Sequence, residues 1–340
     1  MSIITEMKQL SSETMAPVYF LYGTERYLIE QFLQKASEAL FAGEEGEMND
    51  IRFRLQDTPL GEVVEEAETV PFFSTRKLVV IQDFYLATSQ KVATKLEHDI
   101  SALEAYLDSP AQETVLVVVA PYEKLDGRKK ITKKLKKQTS AIDVNPLDEK
   151  ETFAWMEAIA KQEGVAIEQD AKQLLYKHTG PNLMLLHREL EKCMLYGEDG
   201  DPVTASIVDE LVAETVEQSV FTVIDYTAKG RAGDAVRLYH QLLRQKEEPL
   251  AILALLTRQF RQFFQVKTRL AKGYTQKEMA SQLKLHPYVV KLAMQQVKAL
   301  TTTQLRQALI VCEETDYAIK TGQADKELAV ELLLLRLAST

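Results

Sequence analysis

The stretch Val18-Tyr19-Phe20-Leu21-Tyr22-Gly23-Thr24-Glu25-Arg26-Tyr27-Leu28-Ile29-Glu30 crosses a single glycine from a continuous apolar run into an amphipathic one that extends to Leu40. Further runs at Lys77 to Ile81 and Val115 to Ala120 are nearly continuous in hydrophobicity, with amphipathic stretches between them. Apolar runs without alternation read as strands covered on both faces, and such strands belong to parallel sheets whose crossovers are helices. Pro17 to Val144 is therefore expected to form an α/β domain, a parallel sheet with helices. The runs leave the strand order open.

Beyond Asn145-Pro146 only helical periodicity remains, which places a domain boundary near that proline. Asp148 with Glu151 forms a capping pair at the head of a helix through Ile159, and Gly164 ends it. A second helix spans about Gln169 to His178. Gly180-Pro181 breaks the chain, and Asn182 caps a third helix with Leu183, Leu186, Leu190 and Cys193 along one face. These three short helices make a small second domain. From Glu214 onward come at least six helical segments. In one of them, Leu250 to Leu270, the residues Leu253, Leu256, Phe260, Phe263, Phe264 and Leu270 form a wide apolar face. The last, Glu327 to Ala338, is leucine and valine on two sides. So much apolar surface implies a helical domain that buries itself and also meets neighbouring subunits.

At 340 residues, with 46% hydrophobic and 27% charged residues, the composition is that of a soluble multidomain protein, and three domains are expected. No apolar run approaches the roughly 20 residues of a membrane span, and Met1 to Pro17 lacks a signal-like apolar core, so the protein is expected in the cytoplasm. Cys193 and Cys312 lie far apart with no zinc-type spacing and read as reduced and buried. A net charge of -9 excludes a protein that coats nucleic acid through its overall field, so any DNA contact must be local.

The turn Gly23-Thr24-Glu25-Arg26 stands where a nucleotide-binding α/β protein would cradle a phosphate. A P-loop needs G-x-x-x-x-G-K-[ST], and no Gly-Lys dipeptide occurs in the chain. Asp83, after Val80-Ile81-Gln82, could orient a magnesium ion only in company this sequence does not supply, and reads as a strand-end turn residue. The histidines at 98, 178, 187, 240 and 286 show no H-E-x-x-H or other metal spacing, and neither G-x-S-x-G nor a Cys-His pair appears. No catalytic residue, metal or cofactor is expected.

Seven of the ten residues from Arg128 to Lys137 are basic: Arg128, Lys129, Lys130, Lys133, Lys134, Lys136 and Lys137. On a helix, Ile131 and Leu135 would face the domain and leave an outer stripe able to follow phosphates or simply to be solvated. Gly273 to Val290 has the outline of a helix-turn-helix, with Thr275 and Glu278 as a capping box. Its second helix would open on Pro287, Tyr288 and Val289, whereas a reader of base edges wants Arg, Asn or Gln there, so packing is the expected role.

The opening stretch, together with Pro71-Phe72-Phe73-Ser74-Thr75-Arg76-Lys77-Leu78-Val79-Val80 and Asn182-Leu183-Met184-Leu185-Leu186-His187-Arg188-Glu189-Leu190-Glu191-Lys192, resembles the delta subunit family of bacterial DNA polymerase III, in the same order along the chain. The resemblance implies an AAA+-like clamp-binding domain without a nucleotide site over residues 1–145, a small helical lid over 146–212 and an all-α collar over 213–340. It implies a clamp-loader subunit without chemistry of its own, which opens the ring-shaped beta sliding clamp beside gamma/tau and delta-prime subunits and primed DNA. Rival readings are an active AAA+ ATPase and a helix-turn-helix DNA-binding regulator. By motif the family's clamp-gripping apolar pair falls on Phe72 and Phe73, two phenylalanines where family members carry a leucine and an aromatic. Adjacent aromatics after Pro71 cannot both face one core, so at least one is expected near the surface, unless both cap the sheet edge. Apart from the resemblance, the basic residues of 128–137 stand as candidate DNA contacts, with a solvated helix face as the alternative.

Overall fold

In the computed structural model, residues 3–41, 48–71, 74–90, 92, 94, 96–197 and 200–339 are described. They divide into two compact units, Met1–Leu147 and Asp148–Thr340.

The first unit alternates helices and strands: α1 (Ile3–Gln9), β1 (Val18–Tyr22), α2 (Arg26–Leu40), β2 (Asp50–Arg54), α3 (Leu60–Glu68), β3 (Lys77–Gln82), α4 (Ile100–Asp108), β4 (Thr114–Ala120), α5 (Lys130–Gln138) and β5 (Ser140–Asp143). The strands form one parallel sheet in the order β2-β3-β4-β1-β5. Its centre is the apolar runs, and β4 is buried along its whole length. Strand residues alternate between faces. Val18, Phe20, Val79, Ile81, Leu116 and Val118 pack with Leu60, Val63 and Ala67 of α3, Leu103 of α4 and Ile131 and Leu135 of α5. On the opposite face Tyr19 meets Phe32 of α2 edge-on at 5.1 Å.

The strands that lie outside the apolar runs are the two edges. In β2, Asp50, Arg52 and Arg54 alternate with Ile51 and Phe53, and β5 is the four-residue Ser-Ala-Ile-Asp. Edge strands tolerate and use such polarity, because an unpaired apolar edge invites association.

The second unit is helical: α6 (Glu149–Gln162), α7 (Gln169–Thr179), α8 (Leu183–Tyr196), α9 (Ala205–Leu211), α10 (Val216–Ala228), α11 (Ala232–Arg244), α12 (Pro249–Leu270), α13 (Gln276–Leu283), α14 (Pro287–Gln296), α15 (Thr302–Lys320) and α16 (Lys326–Ala338). The expected caps are present. Asp148 and Glu151 form a capping box, Asn182 accepts from Leu185 N–H, and Thr275 and Glu278 form a second box. Where three short helices are expected before Glu214, the described residues hold a fourth, α9, capped by Thr204. A one-residue parallel bridge, Ile167 to Val203, brings the start of α9 beside the start of α7. Leu253, Leu256, Phe260 and Phe263 of α12 lie in the core of α10–α16, with Phe264 and Leu270 packed against it. Cys193 and Cys312 are free, buried thiols, and burial pushes both up to about 11.

Candidate functional site

At the turn from β1 to α2 three of the backbone amides that would hold a phosphate are engaged within the chain. Gly23 N–H donates to Ala120 O at 3.1 Å and Glu25 N–H to Val144 O at 2.9 Å. Tyr27 N–H donates to the Glu25 carboxylate at 3.2 Å. An acidic cap suits the positive end of a helix dipole and repels an incoming anion. Burial raises the Glu25 pKa, with the Tyr27 hydrogen bond opposing it. Gly23 sits at φ +140, and a Cβ there would lie 2.3 Å from Val144 C and Asn145 N. The chain leaving β5 thus occupies the space beside this turn. Asp83, at φ +56, ends β3 in a left-handed turn, and its carbonyl accepts from Tyr85 N–H. Among the described residues no group of His, Cys, Asp and Glu could hold a metal.

Phe72 and Phe73 lie outside the described residues. The residues leading to them do not: Val70 is 77% exposed and Pro71 half-buried. At the start of β3 Lys77 is buried, its side chain 1% exposed. Its ammonium donates to the Glu66 carbonyl, to Glu66 Oε1 at 3.1 Å and to Thr69 Oγ1 at 2.5 Å. A lysine at the head of an apolar strand reads in sequence as a solvent-facing residue. The three acceptors that allow its burial become visible only in three dimensions.

The basic run is helical, with Ile131 and Leu135 buried as its period requires. Its charges are largely engaged. Lys129 donates to the carbonyls of Leu86 and Thr88 at 3.0 and 2.6 Å, and Lys130 pairs with Glu104 at 2.6 Å. Lys134 pairs with Asp108 at 2.7 Å and also reaches the Glu104 carbonyl. Arg128 pairs with Asp126 and holds its carboxyl down to about 2. Lys136 lies 4.5 Å from the Tyr22 ring centroid. Lys133 and Lys137, both exposed, have no acidic partner among the described residues.

Within the helix-turn-helix outline, α13 and α14 follow one another through a short connection that begins at Lys284, at φ +53. The helix that would read DNA is covered at its start. Tyr288 lies 4.4 Å from Tyr176 of α7 between ring centroids, Lys291 pairs with Glu149, and Gln276 Nε2 donates to Pro287 O at 2.8 Å.

A family profile described as DNA polymerase III, delta subunit matches residues 19–145, and one for the C-terminal domain of that subunit matches residues 217–337. The chain belongs to the DNA polymerase III delta subunit family. It is 38% identical over 330 residues to the DNA polymerase III subunit delta of Bacillus subtilis strain 168, covering 97% of this chain and 95% of that one. It is 23% identical over 265 residues to the probable DNA polymerase III subunit delta of Aquifex aeolicus, covering 75% and 72%. Among solved structures, the Bacillus subtilis DNA clamp loader delta protein superposes with a TM-score of 0.88 at 37% identity, covering 99% of each chain. A parallel five-stranded domain followed by a helical region is the architecture of this family. As a delta subunit the chain is a non-catalytic part of the DNA polymerase III clamp loader, and the matches support neither the ATPase nor the regulator reading.

Proposed function

We propose that the chain binds the beta sliding clamp through the turn that carries Phe72 and Phe73 and stabilises the opened ring while it is loaded onto primed DNA. The observation that carries this reading is Val70, an aliphatic residue 77% exposed directly before Pro71-Phe72-Phe73. The apolar turn therefore starts in solvent, where an anchor for a partner's pocket belongs. Binding energy at the clamp shifts the closed-to-open equilibrium of the ring, and ATP turnover on neighbouring subunits exposes or withdraws this surface. Residues 146–212 act as the lid and 213–340 as the collar that meets gamma/tau and delta-prime subunits. Leu328, Leu332 and Leu335 on α16 and Ile310 and Tyr317 on α15 are exposed apolar residues suited to such contacts. The outer residues of 128–137 follow DNA phosphates in the assembled loader, in the cytoplasm. Among the described residues no helix is long and apolar enough to cross a membrane.

Replacing Phe72 and Phe73 together with alanine should cost about 3 to 5 kcal/mol of clamp binding. That is a loss of a few hundred- to several thousand-fold, with the thermal midpoint little changed. A lowered midpoint with intact clamp affinity would make the pair a cap of the sheet edge and remove it from the interface.

A further inference from the structure

We propose that Lys77 is a positioning residue for clamp binding, closing the mouth of the loop that carries the Phe72-Phe73 pair. This rests on the reading of that pair as the clamp anchor.

The loop leaves α3 at Thr69 and returns to the sheet at Lys77, the first residue of β3. Its ends are joined by one side chain, the buried ammonium of Lys77 on Thr69 Oγ1 and on Glu66 of the last turn of α3. Burying a lysine is costly unless its donors are all used, and here they are. Helix capping does not account for the expense. The Glu66 carbonyl already accepts from Thr69 N–H at 3.2 Å and from Thr69 Oγ1 at 2.9 Å. With two lone pairs, that oxygen is satisfied before the lysine arrives. What Lys77 adds is a tie between the strand and the exposed first residue of the loop.

Both legs of the loop carry further ties. Thr114 Oγ1 donates to Ala67 O at 2.7 Å on the outgoing side. On the return side Ser74 Oγ donates to Arg76 O at 2.6 Å, and Arg76 Nη1 to Ser12 O at 2.6 Å. A loop fixed at its base in the free protein loses less freedom when its tip is bound, and that saving appears as affinity.

The test is a cycle on the full chain, with clamp affinity measured by surface plasmon resonance for Lys77→Met, for Phe72→Ala/Phe73→Ala, and for all three together. Lys77→Met keeps the volume and removes the donors. It should weaken binding about tenfold in the native background and less than twofold once the phenylalanines are gone. Thr69→Val, on an exposed residue, removes one of the three acceptors and should weaken binding in the same direction, which keeps the test alive if Lys77→Met fails to fold. An equal effect of Lys77→Met in both backgrounds is the mark of a merely structural lysine and overturns the proposal, as does unchanged affinity in Lys77→Met and Thr69→Val. If the double alanine variant itself binds normally, the anchor reading fails first and this proposal falls with it.

Discussion

At His98 both imidazole nitrogens are engaged. Leu60 N–H donates to Nδ1 at 3.2 Å, and Nε2 meets the Tyr85 hydroxyl. With Nδ1 accepting, the ring is neutral and carries its proton on Nε2. The ring thereby caps α3 at Leu60. Protonation would remove the acceptor and set a cation at the positive end of the helix. Burial lowers the His98 pKa accordingly. The sign follows: a group with a depressed folded-state pKa that is neutral in the fold contributes stability above the unfolded value of about 6.5 and loses it as pH falls through the folded value. The native thermal midpoint should therefore drop more between pH 7 and pH 5 than that of His98→Gln, by at most about 1 kcal/mol of cap stability. Parallel midpoint curves for the two proteins would show that the ring does not hold the helix. Residues of this kind mark the limit of sequence reading. His98 and Lys77 take their roles from partners 38 and 11 residues away, and neither pairing leaves a periodic trace. Asp148, Asn182 and Thr275, which cap through neighbours three residues on, were legible directly.

The same division governs whole elements. β1, β3 and β4 are buried on both faces and show it as unbroken hydrophobicity. The edge β2 alternates polar and apolar residues and β5 has only four, so the continuous-run criterion passes over them. In α5 the helix and its buried face could be read from Ile131 and Leu135, but the pairing of Lys130 and Lys134 could not, because Glu104 and Asp108 belong to α4. That pairing ranks the lysines. Those already facing carboxylates have less charge to offer a phosphate backbone than Lys133 and Lys137, whose charges stand in solvent. Lys133→Glu with Lys137→Glu should reduce the log–log salt slope of DNA binding by the assembled loader by roughly 0.7 to 0.9 per lost contact. Lys130→Gln with Lys134→Gln should change it less. A slope unmoved by the first pair would leave α5 a solvated helix.

For the molecule as a whole, two units of different architecture carry one -9 chain whose part in replication is to bind. Calorimetric titration of the purified chain with ATP should give no binding heat at micromolar concentrations, because the cradle lysine and glycine are missing and the amides of Gly23, Glu25 and Tyr27 are bonded internally. A micromolar isotherm would contradict that. The backbone of Val144 and Asn145, wedged against Gly23, is where this matters beyond binding itself. Reciprocal linkage requires that a ligand with no site on a protein have no coupling energy with it. A blank titration would therefore mean that this subunit has no clock of its own. On the proposed reading of the Phe72-Phe73 anchor, the timing of its hold on the clamp then has to be imposed from outside this chain.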